Sequence, residues 1–493
     1  MKNKYTISKI SLLAFAFVAT AAVTGCDTDP ADQASLRVIH ASPDAPAVNV
    51  SLDSTTRITD LDYAVSSGFT RVNAGNRDIT VEAIIPGGNT DVISVPDFPL
   101  QKDGRYTIIA VNETATIAAY VADESTSSPA TDEVAIAVVH ASPAASAVDV
   151  YVTAPGTDVS DVNLQPNFTF DYKDPAVDAG ALPAGTYDIT VTSTGTKTVA
   201  YNISNVDLSP FAGKKLLLVA ISTTTATNIA ASPIKLLVAT DDAHLVLLDE
   251  DTNAGTRVVH ASPDADTAAG GPVEVLANSV SLGVNGLELI DSFRYTQVAP
   301  PVGNPPLPLT TDGSFVLVPP ADDFIFDVAV DEGAIVYTSG EVALAQGSEY
   351  TVIAAGLVTA DPAFGLLATV DNNRSIITQA SVKVVHGAPA AGTVNVYVTP
   401  AGQFSKDDVE NGLAGTPLLE NFEFGEITDY VAVPPGDYDI RVVPLSLGVA
   451  AINVEGASLP EGVVATVIAR QPNDPNALPD DEPTDFGIIV LTN

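Results

Sequence analysis

Residues 37–52, RVIHASPDAPAVNVSL, hold an apolar run, a histidine, a turn and a second run, and the chain writes this stretch four times. It returns as VVHASPAASAVDVYV from Val138, as RVVHASPDAD from Arg257 with PVEVLA from Pro272, and as VVHGAPAAGTVNVYV from Val384. The first run is apolar at consecutive places and the second alternates, which is how strands read. Ser-Pro between them starts a turn and removes a ladder donor, so the chain must fold back there.

The four histidines, His40, His140, His260 and His386, are 100, 120 and 126 residues apart, a spacing for whole domains rather than solenoid units. Further landmarks follow each motif in one order. An aromatic-bearing segment comes first, then a turn and strand such as LPAGTYDITV from Leu182, then an apolar strand such as RYTIIAV from Arg105. The runs are short and bounded by Gly, Pro, Asn or Asp, with almost no helical period. About seven runs per unit predict an all-β chain of four tandem immunoglobulin-like antiparallel β-sandwich domains, at 35–125, 132–250, 254–373 and 380–493. The joins ADESTSSPATDE, DEDTNAG and DNNRSIITQA are short and polar, which predicts a string of beads with limited hinge freedom. APPVGNPPLPL from Ala299 reads as a stiff extended loop.

Acidic residues number 61 and basic residues 21, a net charge of -40. Such a surface repels nucleic acid and anionic headgroups, so neither is a partner. Lys2, Lys4 and Lys9 precede an apolar run, Ile10 to Val23, too short to span a bilayer but right for a signal-peptide core. Val23-Thr24-Gly25-Cys26 closes it and resembles the lipobox of bacterial lipoproteins. That resemblance implies a lipoprotein signal peptide over 1–25, lipidation at Cys26 and a polar leader over 26–34. Cys26 is the single cysteine of the chain, so no disulfide can form within it. Without the three lysines the remaining chain carries 61 acids against 18 bases, or -43.

The V-[VI]-H-A-S-P opening, the V-[ND]-V strand and the P-x-G-x-Y-x-[IV]-x-V turn together resemble the bacterial domain of unknown function 4397 family. The resemblance covers the chain after Cys26 as four copies; the fourth replaces Ala-Ser with Gly387-Ala388. It implies an all-β, exported protein in tandem copies and implies no activity.

The histidines invite a chemical reading, which the internal copies oppose. His40, Ser42 and Asp44 supply triad residue types, but the serine place becomes Ala388 and the aspartate place becomes Ala144 and Ala390. No G-x-S-x-G elbow is present, so no catalytic residue is assigned and the chain is read as a non-enzyme. One motif histidine per unit, with His244 outside the pattern and no cysteine, leaves no zinc set. Asp249-Glu250-Asp251-Thr252-Asn253 opens like a calcium loop, making Asp249, Asp251 and Asn253 weak calcium candidates; Ala254 stands where an EF-hand needs glycine. Asp480-Asp481-Glu482 is a second acidic cluster. The structural reading makes each histidine a half-buried pin of its turn. It bonds backbone or the polar residue of the following strand, Asn49, Asp149, Glu274 or Asn395. Tyr151 and Tyr397 fall on the polar phase of their strands, which reads first as a solvated strand face and second as exposed platforms for sugar rings.

The function expected is a structural or adhesive stalk on a lipid anchor in the bacterial envelope, at the outer membrane or cell surface rather than the inner membrane. Extended, four beads reach about 150 Å. The other reading is a non-catalytic module binding envelope polysaccharide or another surface protein. Membrane contact is expected through the lipid alone, and no cofactor is expected beyond calcium at the acidic loops.

Overall fold

The computed structural model describes residues 32–492 apart from 126–127, 174–176, 227–228, 266–267, 269–271, 296, 300–314, 331–333 and 472–485. The signal segment, Cys26, the prolines of the Ala299 loop and the Asp480 cluster lie outside the described residues. Among those described, no helix is long and apolar enough to cross a membrane.

The chain is all-β, built from separate sheets of four or five strands. The first sandwich holds β1 (Gln33–His40), β2 (Val48–Leu52), β3 (Thr55–Leu61), β4 (Thr70–Asn73), β5 (Gly75–Ala83), β6 (Thr90–Leu100), β7 (Arg105–Val111) and β8 (Ala118–Asp123). One sheet has the order β4-β1-β7-β8 and the other β3-β2-β5-β6. Asp53 and Ser54 take the left-handed backbone that a tight hairpin between β2 and β3 requires. The fourth sandwich repeats both orders, around Ala380–His386 and Val464–Arg470 in one sheet and Val394–Pro400 and Gly436–Pro444 in the other. The second adds an edge strand, His244–Leu247; the third sets two short strands, Val298–Ala299 and Val316–Val318, beside Ala254–His260.

Two features depart from the expected antiparallel sandwich of seven runs. Eight strands form the first unit, and β1 pairs with β7 in parallel, Leu36 facing Tyr106 and His40 facing Ala110. The same parallel pairing recurs in every unit. These two strands are apolar at consecutive places because both of their faces are buried. Leu36, Val38 and Ile108 point into the first sandwich's own core. Ile39, Ala41, Ile109 and Val111 point the other way, against Val139, Ala141, Leu217, Val219 and Ile221 of the second.

The expectation of separate beads is therefore corrected. The first and second sandwiches pack sheet on sheet, and the third and fourth do the same through Val259, Ala261, Ile353, Val385 and Ile468. Ile229 meets Phe315 and Leu317 between the second and third. The polar joins suggested hinges, but alternate residues of the apolar strands supply a second hydrophobic face that has to be covered.

Candidate functional site

Each motif histidine closes β1 or its equivalent and is fully buried. His40 Nδ1 accepts from the Ser42 N–H at 3.3 Å, and Nε2 lies 2.9 Å from the Pro46 carbonyl. An accepting Nδ1 places the ring proton on Nε2, which then donates to that carbonyl. His140 bridges the Ser142 N–H and the Ser146 carbonyl, and His386 bridges the Ala388 N–H and the Gly392 carbonyl. In the third unit His260 Nδ1 accepts from the Ser262 N–H. In the first, second and fourth units the ring thus ties the residue two places on to the one six places on. Burial holds His40 and His386 below the ordinary imidazole range. An aromatic ring stands edge-on to each imidazole: Tyr63, Tyr172, Tyr295 and Phe424.

The triad residue types do not come together. Asp44 accepts from the Thr114 N–H and hydroxyl, at 2.8 and 3.0 Å, and Asp264 does the same work for Val358 and Thr359. The Ser142 hydroxyl meets that of Ser222, and the Ser262 hydroxyl donates to the Gly356 carbonyl. The polar residues of the second strand also have other partners. Asn49 bonds Glu82 and the Asp60 N–H, Asp149 accepts from Thr169 and the Gly195 N–H, and Asn395 accepts from the Asn421 N–H.

At the acidic loop, Asp249 is buried and its carboxylate accepts from the Asn202 and Asp251 N–H groups. The Asn253 amide donates to the Asp251 carbonyl. These oxygens are engaged by the chain's own donors. Among the described residues no three His, Cys, Asp or Glu side chains gather to hold a metal. Tyr151 is not an exposed platform: it is 2% exposed, with Lys197 Nζ 3.0 Å from its hydroxyl and 4.3 Å above its ring. Tyr397 packs with Val409 and Val443.

The residues that sequence reading missed are the cations between sandwiches. Arg37, on the partner-facing side of β1, donates to Thr107 Oγ1 at 2.9 Å, to Glu124 at 2.6 Å and to the Thr240 carbonyl of the second sandwich at 2.6 Å. Arg257 repeats this with Thr351 and Asp371, and Lys383 of the fourth sandwich reaches the same aspartate at 3.4 Å. Arg374, in the third join, bonds Asp62 and the Ala45 carbonyl of the first sandwich, and Tyr63 donates to the Ser222 carbonyl. Glu349 receives the Ala226 N–H at 2.6 Å and the Asn373 amide, and burial pushes its carboxyl up to about 7. One signal was available: Arg37 and Arg257 interrupt apolar strands at the same place, three residues before the histidine.

The pattern of the domain of unknown function 4397 (DUF4397) matches residues 34–151 and 254–397, just over half of the chain. The chain belongs to the DUF4397 family. Each match runs from the first strand of an odd-numbered sandwich into the second strand of the next, so the family pattern is met twice rather than four times. No curated protein matches this DUF4397 chain. Among solved structures, it is similar to a provisionally assigned cell adhesion protein from Bacteroides uniformis, at 13% identity and a TM-score of 0.18, over 49% of this chain and 98% of that one. A similarly assigned protein from Bacteroides ovatus gives 12% and 0.18, over 50% and 98%. The Bacillus anthracis TIE protein gives 12% and 0.14, over 86% and 66%. At these TM-scores none of them bears on function.

Proposed function

We propose that this DUF4397 protein is an exported, lipid-anchored protein of the bacterial envelope that works as a rigid structural or adhesive element without catalysis. The observation that supports this most is the double burial of the motif sheets. One face of each fills its own sandwich and the other packs against the matching outer face of its neighbour, so the sandwiches act as a block. The His40 ring nitrogens and the Asp44 carboxylate are used to hold backbone, which favours scaffolding over chemistry. Cys26 supplies the tether. The stalk is then two tight pairs rather than an extended string. Protease added to intact cells should trim the protein, and small-angle scattering of the delipidated chain should give a compact particle. A protein untouched on intact cells sinks surface adhesion; scattering from an extended string sinks the block.

A second reading, binding of an envelope partner, is favoured by one feature. The loop between the second and third strands exposes large aliphatic side chains in three successive units: Val162 at 80%, Val280 at 91% and Leu413 at 66%. Such tips suit a protein surface better than a sugar. A glycan array and crosslinking on cells separate the two kinds of partner.

A further inference from the structure

The four sandwiches can be compared place by place through the parallel pairing. The residue opposite the one four before the histidine is Tyr106 in the first unit, Leu216 in the second, Tyr350 in the third and Ala465 in the fourth. Tyr106 and Tyr350 act as plugs at the end of their cores. Each hydroxyl accepts a backbone N–H from the preceding loop, from Gln101 at 3.2 Å and from Ala345 at 2.9 Å. Tyr106 also meets Phe98 edge-on at 5.5 Å. Phe98 faces Arg77, and the equivalent residue in the second unit is Val206, facing Tyr187. The second sandwich therefore lacks both rings of the plug.

An apolar cavity of about 350 Å³ occupies that place, and Val206 and Leu216 both line it. In the fourth sandwich the apolar space between the sheets is only about 60 Å³, lined by Phe422, Leu419, Val467 and Ala469 and not by Ala465. A well-packed interior holds few voids larger than one water molecule, so 350 Å³ is the size of a ligand site, not of a packing defect. Its walls include Val150, Ile189 and Val191 of one sheet and Ile136 and Leu218 of the other. Both Leu216 and Ala220 line it, so it runs about 13 Å along the strands, between sheets roughly 10 Å apart. Leu245 and the turn residue Phe211, both part-exposed, stand where the edges of the two sheets meet.

We propose that the second sandwich binds a single unbranched aliphatic chain with an uncharged head, such as an alkyl alcohol or the acyl chain of an ester. Length and width fit a chain rather than a fused ring. Apolar walls provide the driving force for filling the cavity with an apolar chain. No Lys or Arg lines it, while Asp207, kept ionised by hydrogen bonds from Ser209, stands at its rim. A carboxylate head would meet like charge there and find no cation.

Titration calorimetry and native mass spectrometry of the purified chain with n-decanol test this. One decanol should bind per chain, and decanoate at alkaline pH should bind about tenfold more weakly or worse, the cost of one unfavourable charge contact. Leu216→Tyr with Val206→Phe restores the plug and should abolish binding while holding or raising Tm. If the pair of substitutions prevents folding, Val206→Phe alone should weaken decanol about tenfold. Absence of decanol binding up to its solubility limit overturns the site, as does undiminished binding by a folded plugged variant. Decanoate binding as tightly as decanol overturns the uncharged head.

Discussion

Arg374, in the join between the third and fourth sandwiches, donates from Nη1 to the carbonyl oxygen of Ala45 in the first, 2.7 Å away and 329 residues earlier in the chain. The same guanidinium pairs with Asp62 and lies 5.5 Å from the centre of the Tyr63 ring. A join that reads as a linker thus clamps the turn pinned by His40. Replacing Arg374 with Ala leaves a buried carbonyl without its donor and should cost about 1–3 kcal/mol. Hydrogen exchange should quicken at residues 43–46 and 372–377 together. Arg374→Lys keeps the charge but cannot reach both partners with a planar fork, so recovery should be partial. Unchanged exchange at residues 43–46 would show that the clamp carries nothing.

His40→Ala removes the tie between the Ser42 N–H and the Pro46 carbonyl and opens a ring-sized void. The expected loss is about 3 kcal/mol, read from the denaturant midpoint. The sign of the pH effect follows from burial, which sets the folded pKa below the ordinary 6.5. The stability linked to the neutral ring is present above about pH 6.5 and is lost as pH falls. In the variant, stability should fall less steeply on the acid side than in the parent.

Glu349 works in the opposite sense. Its carboxyl is raised from 4.5 to about 7 by burial, so the folded protein holds a proton that the unfolded chain has released. Its contribution is complete below about pH 4.5 and is lost as pH rises towards 7. Glu349→Gln should flatten thermal stability across that window and be the more stable protein above it. Parallel slopes for parent and variant would refute the assignment.

Ala41 and Ala141 follow the histidines of the first two units and are both fully buried between them. In the other pair the places are Ala261 and Gly387, and a Cβ built on Gly387 would meet the Ala469 carbonyl oxygen at 2.9 Å. Ala41→Leu should therefore overpack the joint and cost about 1–3 kcal/mol, with faster exchange in residues 217–221 while the core of the first sandwich stays protected. Equal protection throughout would mean that the joint tolerates the added volume.

Much of this fold was legible because its information is local. Alternation in VNVSL, Ser-Pro after the histidine, and recurrence at about a hundred residues specify strands, turns and sandwiches without any long-range knowledge. The parallel pairing of β1 with β7 was hidden, since strand periodicity does not encode direction or neighbour. The packing of units was half visible: LLLVAI from Leu216 to Ile221 is apolar at every step, which is the mark of a strand buried on both faces, yet periodicity cannot say what covers the second face.

By itself the sequence determined the element type, the repeat and the place of each histidine, because these follow from side-chain alternation and backbone restriction within a few residues. The tertiary structure alone decided what the histidines hold, which cations cross between units, and that Leu216 and Val206 leave a space where Tyr106 and Phe98 close one. Those are distances between residues far apart in the chain. Hydrogen bonds and packing depend on such distances steeply, and nothing in the order of residues states them.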